Sequence, residues 1–200
     1  MRLTRETIVQ GALELLNEVG LDEFTTRRLA DKLGIQSPTL YWHFKSKREL
    51  LDAMAYAMLK DLDARPMPVP GSDWRALWLE GARGFRRALL AYRDGARVHA
   101  GTLPSVNQLP RAEASMQLLC SEGFAPEKAL AIMLAFSRFV VGWVLEEQAA
   151  GSRANEGQSA FNPLPESFPL LAEAGQLIKN QSPDWAFDLA LSFLLGSGSN

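Results

Sequence analysis

The chain has 200 residues, 47% of them hydrophobic and 22% charged, with a formal net charge of −2. Such a length allows one or two compact domains with a real core, and the near-neutral total means that any basic character is local. A single cysteine, Cys120, excludes an intrachain disulfide framework and suits a reducing compartment. Arg2, Arg5 and Glu6 interrupt the start, so no signal peptide and a cytoplasmic location are expected.

The first predicted helix spans 5–20, where Ile8, Ala12, Leu15, Leu16 and Val19 recur at helical spacing, Thr4 can cap the start and Gly20 the end. Two short helices follow in 25–48, joined at Leu33-Gly34-Ile35, and this stretch carries six Lys or Arg against one acid. Gly34 suits a sharp turn that needs positive φ. Ser37 offers a cap oxygen and Pro38 a preset φ for the second helix. Leu29, Leu33, Leu40 and Phe44 form the apolar side, to be buried on the first helix. Thr39, Tyr41, Trp42 and His43 form the exposed side and suit base edges and phosphates in a major groove. These features are a helix-turn-helix with a phosphate-binding surface. Residues 1–48 are net +2 and the remainder −4, the charge pattern of a small nucleic-acid module on an acidic body.

Ser46-Lys47-Arg48-Glu49 reads as a capping box that starts a helix over 47–64, with Leu50, Leu51, Met54, Met58 and Leu62 as its stripe. Lys47 at a helix start opposes the dipole by up to about 1 kcal/mol, which a phosphate partner would explain. The segment 66–73 is a stiff proline-rich linker. Further helices are predicted over 74–92, 95–100, 106–122, 126–150, 166–179 and 183–195, with Gly123 and Gly151 at C-caps and Pro126 and Pro183 in first turns. Residues 151–165 read as a mobile loop. Ala129 to Leu145 is nearly as long as a short membrane span, but Arg138 interrupts it and a buried helix is the better reading. The helices at 126–150 and 183–195 are apolar on more than one side, so each can face its own core and a second subunit. Cys120 is expected in the core.

The runs Phe24 to Leu33, Pro38-Thr-Leu-Tyr-Trp-His43 and Phe85-Arg-Arg-Ala-Leu-Leu with Tyr92-Arg-Asp-Gly-Ala-Arg-Val-His99 resemble the TetR family of bacterial transcriptional regulators, in particular its tetracycline-repressor branch. The resemblance is strong to about residue 104 and weak beyond about residue 110. It implies an all-α protein: a three-helix DNA-binding domain at 1–48 and a larger ligand-binding and dimerisation domain at 49–200, linked by the helix at 47–64. The expected function is a ligand-responsive repressor, a homodimer that releases a pseudopalindromic operator when a small hydrophobic or drug-like effector binds. Expected DNA contacts are Arg27 as guanine reader, Ser37, Pro38, Thr39, Tyr41 and Trp42 on bases or methyls, and Thr26, His43 and Lys47 on phosphates.

The same resemblance implies that His99, Thr102 and Glu146 of the partner subunit surround a magnesium ion brought in by the effector, with His99 and Glu146 as metal-side residues. Expected ligand contacts also include Phe85, Leu103, Pro104, Leu130, Met133, Leu134 and Ser137. Where the tetracycline-binding members carry a His, an Asn and a Gln, this chain has Asp63, Gly81 and Ser115, and Leu103 stands in place of an Arg. Gly81 should widen the cavity and Asp63 favour a cationic or donor-rich group. Each lost hydrogen-bond partner to a buried polar ligand costs about 1 to 3 kcal/mol. The expectation is an apolar pocket for a planar or polycyclic compound, with tetracycline a weak inducer or none.

No Gly-x-Ser-x-Gly elbow, His/Cys metal spacing or glycine-rich phosphate loop occurs, and the two histidines are His43 and His99. An enzyme is not expected. The rival of that class, a hydrolase using His99 with Ser115 or Thr102, has no need of the basic cluster. The other rival is a constitutive DNA-binding regulator, for which the body is larger than dimerisation requires.

Overall fold

The computed structural model describes residues 3–155 and 167–196, whose regular structure is helical with no strand among them. The chain divides into two compact units, Met1–Leu145 and Glu146–Asn200.

In the first unit α1 spans Arg5–Val19. Thr4 accepts a hydrogen bond from the Thr7 amide at 3.2 Å while the Thr7 hydroxyl accepts one from the Thr4 amide at 2.9 Å, so two otherwise unpaired donors are satisfied. Helix α2, Thr26–Leu33, is capped by Thr25, and it ends at Gly34 with φ 65°, the left-handed conformation that glycine adopts without a Cβ clash. Helix α3 is Ser37–His43. Ile8, Leu16, Phe24, Leu29, Leu40, Phe44, Leu50 and Met54 are completely or almost completely buried. Each such side chain contributes about 1.5 to 3 kcal/mol of transfer free energy, which fixes α1 to α3 and the start of α4 as one block.

Local chemistry differs from expectation at three points here. Ser37 is the first helical residue rather than the cap; Gln36 takes that place without a side-chain bond, and Pro38 follows one residue further in. Leu33 is half-buried. The Ser46 hydroxyl does accept from the Glu49 amide at 3.1 Å. The reciprocal half of that box is replaced, because the Glu49 carboxylate accepts from the Lys45 amide at 2.8 Å and pairs with Arg5 at 2.9 Å.

The helix expected over 47–64 is two, α4 at Lys47–Met58 and α5 at Lys60–Asp63. Leu59 separates them with φ −99° and ψ 2°, its amide bonded to Tyr56 at 3.1 Å. No glycine or proline marks the break, and Leu59 is buried there. Helix α6, Trp74–Leu90, starts where the Asp73 carboxylate accepts from the amides of Arg75 and Ala76 at 3.0 and 3.1 Å. Helix α7 is Gly95–His99. The helix expected over 106–122 opens as a 3-10 turn at Val106–Gln108 and continues as α8, Leu109–Ser121. Cys120, expected in the core, is only partly buried.

Helix α9, Pro126–Asn155, passes through Gly151, so that glycine does not end it. Of the loop expected at 151–165, residues 151–155 are helical and the rest lies outside the described residues. The helix is long and apolar enough to cross a membrane by length and composition alone, a test that core helices also pass. The expectation of a buried helix holds for one face: Ala129, Val140 and Val144 are buried, whereas Leu130, Leu134 and Arg138 are exposed. In the second unit α10 is Pro169–Lys179 and α11 is Trp185–Leu194. Phe187 and Leu191 are buried, while Leu170, Leu171, Leu177 and Phe193 are exposed.

Gly95 is the tightest position in the first unit, since a β-carbon there would overlap the Leu89 carbonyl oxygen, part of the backbone. Gly81, inside α6, has no atom within 4 Å of that place. Gly95→Ala should lower stability by about 1 to 3 kcal/mol, the usual cost of overpacking, whereas Gly81→Ala should raise it by about 0.5 to 1 kcal/mol. Urea denaturation of both variants checks the contrast.

Candidate functional site

The three-helix block presents α3 to solvent. Trp42 is 89% exposed and Tyr41 49%, which no packing requirement explains. Pro38 and Arg27 are exposed, and Thr26, Ser37, Thr39 and His43 half-exposed. The hydroxyls of Thr26 and Tyr41 stand 3.3 Å apart, so the start of α2 and the outer face of α3 form one surface. Arg28 pairs with Glu23 at 2.6 Å and Lys32 with Glu18 at 2.7 Å. Among the described residues Arg27 has no such partner, which leaves its guanidinium available. Lys47 has a partner within the chain: its ammonium donates to the Phe24 carbonyl at 2.8 Å and lies 5.5 Å from the Phe24 ring. That bond places the cation beside the start of α2.

A cavity of about 720 Å³ lies among α5, the 66–72 linker, α6, α8 and α9. Of the expected ligand residues, Asp63, Gly81, Phe85, Ser115 and Met133 line it. His99 does not, but its ring packs edge-on against Phe85 at 5.0 Å. Thr102 donates to the His99 carbonyl at 2.7 Å. Leu103, Pro104, Leu130 and Leu134 are exposed, Ser137 is half-buried, and none of them is in the lining. Glu146 is exposed and belongs to the second unit. Ser115 donates to the Arg111 carbonyl at 3.0 Å, so neither it nor Thr102 is bonded to an imidazole. Among the described residues no group of three or more His, Cys, Asp or Glu side chains could hold a metal ion.

Several lining residues were missed. Trp78 and Phe136 make an edge contact at 4.7 Å in the wall. The linker, read only as a spacer, contributes Pro66, Met67, Pro68 and Val69. Arg111 clamps that linker: its guanidinium donates to the carbonyls of Asp63 and Pro66, both at 3.3 Å, and to that of Arg65. The available signal was the spacing of Arg111 and Ser115, one turn apart on a single helix face.

Between cavity and reader lies α7. Asp94 precedes it with φ 57°, a left-handed conformation that Asp tolerates better than most residues. Its carboxylate accepts from the Leu21 amide at 2.8 Å and from Arg97 at 3.2 Å. Arg97 also grips Asp22 at 2.6 and 3.0 Å, which holds the Asp22 carboxyl below its usual range. The Arg93 amide donates to Asn17 at 2.8 Å, and its guanidinium to the Glu18 carbonyl at 3.2 Å. Arg48, in α4, donates to the Gly101 carbonyl.

Two family models match this chain, "Bacterial regulatory proteins, tetR family" at residues 8–54 and "Tetracyclin repressor-like, C-terminal domain" at 67–197. The chain belongs to the TetR family. It is 46% identical over 194 residues to the class A tetracycline repressor protein from transposon 1721 of Escherichia coli, covering 97% of this chain and 89% of the relative. A solved structure of TetR (class A) with 5a,6-anhydrotetracycline and magnesium is 41% identical, covers 97% and 96% of the two chains and superposes with a TM-score of 0.74. A second, the TetR family protein ActR of Streptomyces coelicolor with actinorhodin, is 31% identical, covers 97% and 94% and gives 0.78. This TetR-family chain is a ligand-responsive DNA-binding transcriptional repressor.

His99 sits where this TetR chain joins cavity to α7, and its burial pushes the imidazole below the usual 6.5. The ring is therefore neutral at pH 7. Because the unfolded chain takes up the proton more readily, His99 should cost stability as pH falls below about 6.5, reaching a plateau below the folded pKa. Thermal melts at pH 7.5 and 5.5 should show a drop that His99→Gln reduces; an identical drop in both proteins would assign it elsewhere.

Proposed function

We propose that two copies of this chain bind a pseudopalindromic operator, that a planar or polycyclic effector enters the 720 Å³ cavity, and that its binding releases the DNA. The observation that carries the reading is α7, bonded to the reader block through Asp94, Arg97 and Arg93 and touching the cavity wall through His99 and Phe85. A shift of this short rigid helix re-aims the reader, and operator half-sites one turn apart, about 34 to 36 Å, tolerate little change in reader separation. The exposed apolar faces of α9 and α11 support a homodimer. The relatives' regulatory role supports a cytoplasmic protein acting on DNA, not an enzyme.

Within the reader, Arg27 takes a guanine by its O6 and N7 acceptors, and Ser37, Pro38, Thr39, Tyr41 and Trp42 meet bases or methyls. Thr26, His43 and Lys47 take phosphates. Magnesium accompanies the effector in the class A relative. The residues here fit a metal that arrives already chelated rather than a resident one: a neutral His99 offers one nitrogen, and Glu146 of the partner subunit would add a carboxylate. The bound ion would supply a positive charge for the oxygens of its ligand. The mismatch at Asp63, Gly81, Ser115 and Leu103 favours a compound other than tetracycline.

The test is operator anisotropy titrated with anhydrotetracycline plus magnesium and, separately, with actinorhodin. Release by a planar compound at a concentration that Arg97→Ala shifts at least about tenfold, with DNA affinity retained, supports coupling through α7. Release that ignores Arg97→Ala would place the coupling elsewhere, and operator binding that no planar compound affects would support a constitutive regulator.

On DNA, Arg27→Ala should cost about 1 to 3 kcal/mol and relax preference at one base pair. Lys47→Ala should weaken all sequences alike and reduce the salt slope by about one charge. Salt-dependent titrations on operator and random duplexes check this, and equal losses on both for the two variants would refute the division of roles.

A further inference from the structure

The wall of the cavity holds an unanswered acceptor. Oδ2 of Asp63 is buried with no hydrogen-bond partner among the described residues. Arg111 does not supply one, because its bonds run to the backbone carbonyls of Asp63, Arg65 and Pro66, and no ion pair joins it to the Asp63 carboxylate. The other charged pair in the lining is matched, Arg65 standing 3.5 Å from Glu80. Of the four charged side chains there, Arg111 keeps a buried Nε without a partner but spends the rest of its guanidinium on backbone carbonyls, and Asp63 is the acid whose buried oxygen has no partner. Burial holds its carboxyl above the usual range, and the positive charge of Arg111 only partly opposes this.

The wall of the same cavity is largely apolar and aromatic, with Leu62, Trp78, Phe85, Met133 and Phe136. Gly81 leaves open space on the α6 side. A flat apolar frame fits such walls, and a carboxylate with one oxygen buried and unpartnered is best relieved by a charged donor, which makes a shorter and stronger bond than a neutral one. A carboxylate-bearing ligand would instead place like charge beside Asp63.

We propose that the effector of this cavity is a planar cation, one of whose charged N–H groups donates to Oδ2 of Asp63 while its ring system fills the aromatic space beside Gly81. This rests on the reading of the cavity as the effector site. Asp63 acts as a specificity determinant for charge: it admits aromatic amines and rejects aromatic acids of the same shape.

Matched probes test it. 9-Aminoacridine is protonated at pH 7.5, and acridine-9-carboxylate carries the same frame with the opposite charge. Calorimetry on the full chain should show the amine bound at least about tenfold tighter than the acid. Asp63→Asn should weaken the amine about tenfold and bring the two close to parity, while Asp63→Glu keeps the preference. Asp63→Asn should also fold at least as well as the parent, since it removes the charge of a partly buried carboxylate that has no counter-ion, and a thermal melt confirms that the protein compared is intact. Equal binding of the two probes by the parent, no binding of either, or a preference that survives Asp63→Asn would overturn the assignment. Gly81→Trp, which fills the cavity, separates the two claims. If it abolishes binding while Asp63→Asn changes nothing, the cavity stands and the role of Asp63 fails; if it leaves binding intact, the cavity reading fails as well.

Discussion

The carboxylate of Asp94 joins the two working parts of the first unit. It accepts the Leu21 amide at the turn between α1 and α2 and also holds Arg97, the first residue to reach Asp22 on the reader side. The backbone conformation that makes this possible is left-handed at Asp94 and followed at once by Gly95, pressed against the Leu89 carbonyl. Exposed ion pairs such as Arg97 with Asp22 contribute little to stability one by one. Their value here is geometric, because the planar fork of Arg97 and a part-buried amide bond fix the orientation of a helix of five residues. A helix so short has almost no stability of its own, so its position reports whatever packs against it.

Much of the reader was legible because its determinants are local. Thr4, Gly20 and Gly34 act on backbone groups within a few residues of themselves, and the apolar spacing of Ile8, Ala12 and Leu16 maps directly onto a buried face. Ser37 shows the limit of that logic: a cap residue one position too late becomes the first helical residue. The cavity was less legible, since its wall is assembled across sequence distance. Arg111 meets carbonyls some 45 residues away, and nothing in the apolar linker 66–69 distinguishes a spacer from a wall. Gly151 was over-read for a similar reason, because a glycine ends a helix only when the chain beyond it has somewhere else to go.

Charge in the reader is organised rather than merely abundant. Arg28, Lys32, Arg48 and Arg5 each lie within ion-pair distance of a carboxylate of the chain, which holds these side chains against the block. Arg27 is left outside that network, one residue after Thr26, whose hydroxyl meets that of Tyr41 on α3. Sequence discrimination needs one unencumbered fork and a shaped surface more than a high density of positive charge, which would favour any duplex equally. Lys47 is intermediate: its bond to the Phe24 carbonyl sets where the ammonium sits while leaving two of its three donors unassigned.

The interruption at Leu59 has a consequence for how such a protein can change over generations. Had α4 run on unbroken, every alteration in its last turn would twist the whole rod and disturb the residues at its far end. With the rod broken at a buried leucine, the short piece beyond it and the proline-rich strap that follows can vary as a module. Mutational drift in residues 60–69 can then reshape the cavity wall while the register of the rod's other end is inherited intact. A designer of biosensors would cut and splice at the same joint.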